Sequence, residues 1–254
     1  MSEIAVAYKS KTGTEIKLTG GGATKGIRAA AAGATDIGGS CRNRLYGADG
    51  SVHPEEADSK LTQVAWDALV VIAHPDNPVD NISMADLKKV YEGKITSWKD
   101  LGGPDKRIAL TTRKGTASGV GHMFRMLVFN QPGMEFKARS IKFKSTGPLE
   151  KKVEKTVTAM GMDGISSAKK RTVKFLSIGG VSPSKENLSS GQYPLFRPLY
   201  LVLNKNASAE SQAVIDFVLS AEGQTIISQQ GTVNMQEGAA LTPLWEAKKS
   251  AMGL

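Results

Sequence analysis

Segments that read as strands alternate with segments that read as helices along most of the chain, and that alternation most restricts how it can fold. Residues 4–10 (IAVAYKS) run into Lys11-Thr12-Gly13, basic residues followed by a glycine stop, as at a helix C-terminus. Residues 14–19 (TEIKLT) alternate as a strand, residues 27–32 are helical in composition, and residues 34–38 (ATDIG) read as a second short strand. Residues 67–74 (DALVVIAH) form an apolar strand that the turn chemistry of His74-Pro75-Asp76-Asn77-Pro78 ends. Ser83 with Asp86 opens a helix over 84–92 by the capping-box logic, with Gly93 as its stop. A strand near 107–112, a helix from about 120 to 130, a strand over 198–204 and a helix over 208–222 closed by Gly223 complete the pattern. The fold class expected is α/β, with mostly parallel sheets flanked by helices.

A chain of 254 residues exceeds the usual size of a single core. No low-complexity linker or internal repeat divides it, so two lobes crossed more than once by the chain are expected rather than two domains in series. The 40% hydrophobic and 22% charged content is that of a globular protein. No apolar run reaches the roughly 20 residues that spanning a bilayer requires, so no transmembrane segment is expected. Met1-Ser2-Glu3-Ile4 lacks a basic stretch followed by an apolar core, so no secretory signal is expected in the sequence as it stands.

The net charge of +9 favours anionic partners, but the basic residues are scattered, aromatics are few and no nucleic-acid motif is present. Nucleic acid is therefore not an expected partner. Cys41 is the single cysteine, which excludes an internal disulfide and a multi-cysteine metal site. His53, His74 and His122 stand apart with no metal-ligand spacing and no GxSxG elbow beside them, so neither a metal, a cofactor nor a catalytic residue is expected.

Two glycine-rich turns carry the chemistry that remains. Gly20-Gly21-Gly22-Ala23-Thr24-Lys25-Gly26 lies at a strand-to-helix turn, where glycines permit close backbone approach and a helix start presents N–H donors. Its spacing fits neither GxGxxG nor the P-loop, which disfavours a nucleotide. Arg113-Lys114-Gly115-Thr116-Ala117-Ser118-Gly119 repeats the arrangement and adds a planar guanidinium fork with hydroxyl donors. Both are suited to a small oxyanion. A phosphoryl-transfer enzyme using the same turns would need a nucleophile, base or metal cage, for which only Cys41 and scattered carboxylates are on offer.

Several long stretches, in order, resemble the phosphate-binding proteins of the phosphate ABC transporter, within the periplasmic binding protein superfamily. They are GGGATKGIRAAAAGATDIGGSCR at 20–42, HPDNPVDNISMADLKKVYEGKITSWKDLGGPDKRI at 74–108, Arg113 with Ser118-Gly119, GGVSPSKENLSSGQYPLFRPLYLVL at 179–203 and SAEGQTIISQQGTV at 220–233. The resemblance implies two α/β lobes, 1–73 with 199–254 and 74–198, and phosphate or a similar oxyanion such as sulfate, molybdate or tungstate held in a cleft between them. It also implies a periplasmic or extracellular receptor, bound to no cofactor, that serves the membrane permease of an ABC transporter. Carried over residue by residue, the ligand-binding positions are Ala23, Thr24, Ser40, Cys41 and Arg42 in one lobe and Arg113, Ser118, Gly119 and Val120 in the other. The chain departs from the family in having Val120 where a threonine is usual, Ala23 where a serine is usual, and Cys41 where some members place an aspartate. Set against the family pattern it also starts inside the first helix, so the strand and donor-bearing turn that precede that helix are expected to be missing.

Overall fold

The computed structural model describes residues 1–252. In chain order its regular elements are α1 (Ser2–Thr12), α2 (Ala23–Ala31), β1 (Gly38–Ser40), β2 (Ser59–Ala73), β3 (Asn81–Ile82), α3 (Met84–Tyr91), β4 (Ala109–Arg113), α4 (Gly119–Phe124), β5 (Ile141–Phe143), α5 (Thr146–Glu154), β6 (Ala159–Gly164), α6 (Ile165–Ala168), β7 (Lys174–Ile178), α7 (Lys185–Ser189), β8 (Phe196–Asn204), α8 (Ala209–Leu219), α9 (Ala221–Gln229) and α10 (Leu241–Ala251). They fall into two compact units, Met1–Trp66 with Pro198–Ala239, and Asp67–Arg197 with the residues from Ala240 on. Two of the three boundaries lie inside strands, β2 and β8, and the third lies in the turn that precedes α10.

In the first unit, β1 pairs antiparallel with β8, Gly38 opposite Val202 and Ser40 opposite Tyr200. Helix α2 lies directly on β1. A Cβ on Gly26 would stand 2.2 Å from the Gly39 carbonyl oxygen, and one on Gly38 would stand 2.1 Å from that of Gly26. Only glycine at both positions lets the two backbones meet, and this contact sets the start of α2 beside the end of β1. Ile4 and Tyr8 of α1 pack with Val64, Leu201, Leu203 and the inner face of α8, Val214, Ile215, Phe217 and Val218.

In the second unit, β4 runs parallel to both β6 and β5, with Leu110 opposite Met160 and Arg113 opposite Phe143. Strand β2 pairs antiparallel with β6 and β7, and β3 lies parallel to β7. The sheet is thus mixed: β4, β5 and β6 share one direction, and the strand that crosses between units runs against them. Residues 64–73 are all buried, which explains the apolar run after Asp67 within the strand expected over 67–74. Against this sheet Tyr91, Phe124, Phe129 and Phe136 form an aromatic cluster with ring centroids 4.3–6.2 Å apart.

Several sequence expectations meet a different outcome. Residues 14–19 form no strand, and only Ile16 among them is partly buried. Alternation makes a strand only where a neighbour offers a ladder and a core to face. The helix expected over 208–222 breaks at Ser220, whose extended backbone ends α8 and whose hydroxyl accepts from the Gly223 amide to cap α9. Gly223 is therefore no stop. It lies inside α9, and glycine is required there because a Cβ would sit 2.2 Å from the Phe217 carbonyl oxygen. The expected helix from 120 to 130 widens to a π-helical turn over Arg125–Phe129 and ends at Asn130 in the left-handed region, φ 53°. The expected lobe boundaries placed the C-terminal residues with 199 onward, whereas α10 packs on second-unit residues: Trp245 against Phe196, and Lys248 Nζ donating to the Pro194 carbonyl oxygen at 3.0 Å.

Candidate functional site

In the first unit, the residues singled out from sequence gather where α2 begins and β1 ends. Gly22, at φ 77°, turns the chain into α2, so Ala23 and Thr24 form its first turn, Ala23 buried. Ser40 ends β1, and its hydroxyl donates to the Arg42 carbonyl oxygen at 2.7 Å while accepting from the Arg42 amide at 3.1 Å, which closes the 40–42 turn. Cys41 is half-buried in the middle of that turn. Arg42 has no solvent exposure, and its Nη2 donates to Thr24 Oγ1 at 3.3 Å. The structure thus brings Thr24, Ser40, Cys41 and Arg42 together.

Sequence reasoning missed the groups that hold this cluster. The Glu56 carboxylate, itself without exposure, accepts from Arg42 Nη1 at 2.9 Å and Nη2 at 2.7 Å, the two-pronged geometry a guanidinium prefers. It also accepts from the Leu45 amide at 2.8 Å and from Arg28 Nε at 3.3 Å. Burial alone would raise the Glu56 pKa, but the bonds from Arg42, Leu45 and Arg28 outweigh it and hold the group below the ordinary carboxylate range. Arg28 also pairs with Glu55. Within this cluster two arginines are thus balanced by two glutamates, which orients its hydrogen-bonding groups. No local sequence signal singled Glu56 out: it lies 14 residues beyond Arg42, and only the fold shows that the arginine is buried and requires a carboxylate.

In the second unit, the parallel strands β4, β5 and β6 end at the same edge of the sheet, the edge at which open α/β sheets bind ligands. Arg113 is the last residue of β4, and its Nη2 donates to the Lys144 carbonyl oxygen just past β5 at 2.9 Å. Ser118 caps α4, its hydroxyl accepting from the Gly121 amide at 3.1 Å, which leaves the hydroxyl proton to donate elsewhere. Gly119 and Val120 form the first turn of α4 and are buried. Gly121 lets the turn close, since a Cβ there would stand 2.6 Å from Ser118 Oγ and 3.4 Å from the Arg113 Cβ. Arg113 and the capped turn are therefore adjacent.

Among the described residues no cluster of three or more His, Cys, Asp or Glu side chains could hold a metal ion. Likewise none of their helices is long and apolar enough to cross a membrane.

Residues 1–222 match the family model described as a PBP superfamily domain. The chain belongs to the PBP superfamily. Within the superfamily it is 31% identical over 189 residues to the phosphate-binding protein PstS of Borreliella burgdorferi, covering 71% of this chain and 68% of that protein. It is 29% identical over 226 residues to the PstS of Bacillus subtilis, covering 86% and 71%. A Clostridium perfringens chain described as a phosphate ABC transporter substrate-binding protein, solved with bound phosphate, superposes with a TM-score of 0.80 at 29% identity over 92% of this chain and 93% of that one. An ABC-type phosphate transport receptor from Vibrio cholerae gives a TM-score of 0.67 at 25% identity.

Proposed function

We propose that this PBP superfamily member is a receptor that binds inorganic phosphate and delivers it, chemically unchanged, to the membrane permease of an ABC transporter, on the outer side of the membrane. The observation that carries the reading is the likeness, over more than nine-tenths of both chains, to the phosphate-bound Clostridium perfringens chain, supported by the similarity to two PstS proteins. The donor chemistry agrees with it. Thr24, Ser40, Cys41 and Arg42, with the amide of Ala23, are the groups proposed to meet the anion from the first unit. Arg113, Ser118 and the amides of Gly119 and Val120 are those proposed from the second, where Arg113 supplies the positive charge that the balanced first-unit cluster lacks. These groups bind by amide and hydroxyl dipoles and by the guanidinium groups of Arg42 and Arg113, which is the chemistry of capture rather than of group transfer.

Titration calorimetry with phosphate tests the reading directly. Hydrogen bonds to a charged group are worth roughly 1.5–3 kcal/mol, so Arg113→Ala should weaken binding about tenfold or more. A thermal-shift panel of phosphate, arsenate, sulfate, molybdate and tungstate ranks the ligands, because an anion at about 100 times its dissociation constant stabilises the fold by about 2.7 kcal/mol. A panel in which phosphate leaves the midpoint where it was would overturn the assignment.

A further inference from the structure

We propose that Glu56 is a positioning residue for the anion site, setting the affinity of the first-unit donors through Arg42 without touching the anion itself. The proposal rests on the phosphate reading for what is bound, and on the first unit's own geometry for how Glu56 acts. Its four hydrogen bonds join three pieces of chain: Arg28 in α2, Arg42 and Leu45 in the turn after β1, and its own single turn, Pro54–Glu56, ahead of β2. That last turn is itself fastened, since Ser59 Oγ donates to the Glu56 carbonyl oxygen at 2.6 Å. Arg28 and Thr24 lie one turn apart on α2, so the carboxylate holds the helix by one residue and, through Arg42 and Thr24 Oγ1, by the other.

A guanidinium is planar, so two parallel bonds to one carboxylate fix its plane as well as its place. With Glu56 on one edge, Arg42 Nη1 reaches the Asn43 carbonyl oxygen at 2.7 Å and Nη2 reaches Thr24 Oγ1. The Thr24 hydroxyl oxygen is thereby held by a charged donor, which restricts where its own proton points. Arg28, Arg42, Glu55 and Glu56 sum to zero charge, so what this cluster contributes to binding depends on where its donors sit. Shortening the acid by one methylene keeps the charge and removes the reach to both Nη atoms.

The test uses Glu56→Asp and Glu56→Gln in the whole chain, with phosphate as the titrant. Glu56→Asp should weaken phosphate binding about tenfold, and the Arg42 guanidinium ¹⁵N resonances should be broader than in the parent. In a Thr24→Val background the same change should cost little further affinity, because the effect travels through Arg42 to Thr24. A merely structural Glu56 would lower the melting temperature, leave the affinity of the folded fraction alone and add its full effect to Thr24→Val. Parent-like affinity in Glu56→Asp, or unchanged Arg42 resonances, would overturn the proposal. Should Glu56→Gln fail to fold, the aspartate variant still decides. If the parent chain does not take up phosphate, the phosphate reading fails, and the Arg42 resonances still show whether Glu56 fixes that side chain.

Discussion

Asp67 and Arg197 form a buried ion pair, Arg197 Nη2 to Asp67 Oδ2 at 2.7 Å, at the two places where β2 and β8 pass from one unit to the other. Both residues belong to the second unit, and the pair ties its two crossing strands together. Arg197 Nε adds a second bond to the same oxygen at 3.2 Å, and Ser166 donates to Asp67 Oδ1 from its hydroxyl at 2.8 Å and its amide at 3.2 Å. Gly164 makes room for the pair, since a Cβ there would lie 2.4 Å from Arg197 Nη2 and 2.8 Å from Asp67 Oδ2.

Breaking one side of that pair leaves the other charge buried, so Asp67→Ala should destabilise the protein by about 3–5 kcal/mol. Replacing both members with apolar residues of similar volume should recover most of the loss. Urea unfolding of the single variants and the pair measures this, and a single variant as stable as the parent would show the pair to be energetically idle.

Asp163 and Glu150 are buried side by side in the second unit. Asp163 Oδ1 accepts from the Gly164 amide at 2.8 Å, whereas Oδ2 meets no N–H or hydroxyl donor, and two ionised carboxylates there would repel. Burial first, then the Glu150 carboxylate, raises the Asp163 pKa to about 9. Burial works against Glu150 as well, but bonds from Asp163, Ser167 and Arg171 hold it low. The pair thus shares one proton, carried by Asp163. An acid raised above its unfolded value of 3.8 is most favourable to folding below that value, and its contribution falls as pH rises toward the folded value near 9. Stability should therefore decline across that window, and Asp163→Asn, which keeps a donor toward Glu150, should flatten the decline. Melting temperatures against pH for both proteins provide the check; parallel curves would mean that Asp163 holds no proton.

Gly26→Ala should separate α2 from β1, because its methyl would collide with the Gly39 backbone. Overpacking of this kind costs about 1–3 kcal/mol, and here it also moves Thr24 away from Arg42. Loss of phosphate affinity together with stability is the expected result. A variant that is less stable but binds as the parent does would separate the α2–β1 contact from the site.

Sulfate should compete with phosphate. A carboxylate that accepts a proton from hydrogen phosphate is one way to reject sulfate, and in the first unit the oxygens of Glu56 are already taken by Arg42, Arg28 and Leu45. Cys41, a poor acceptor, stands in the 40–42 turn. Phosphate titrations repeated in a large molar excess of sulfate should give a weaker apparent affinity, and an unchanged one would mean that another acceptor reaches the anion.

Features that depend on a few neighbouring residues were legible in the sequence. The stop of α1 at Gly13, with φ 78°, and the capping of α3 by Ser83, which accepts from the Asp86 amide at 3.0 Å and donates to its carboxylate at 2.8 Å, are settled within one helical turn. The turn after β4 belongs with them, because Ser118 reaches only as far as Gly121. The features decided by tertiary structure join distant parts of the chain. Arg42 finds its carboxylate 14 residues away, and Asp67 finds Arg197 130 residues away. Gly223 is required by the backbone of the preceding helix, and residues 14–19 alternate with no strand to answer them. A cap or a left-handed glycine is a property of local dihedral angles and bonds. A buried charge or a missing Cβ answers to whatever the folded chain places against it, and the order of residues alone does not name that neighbour.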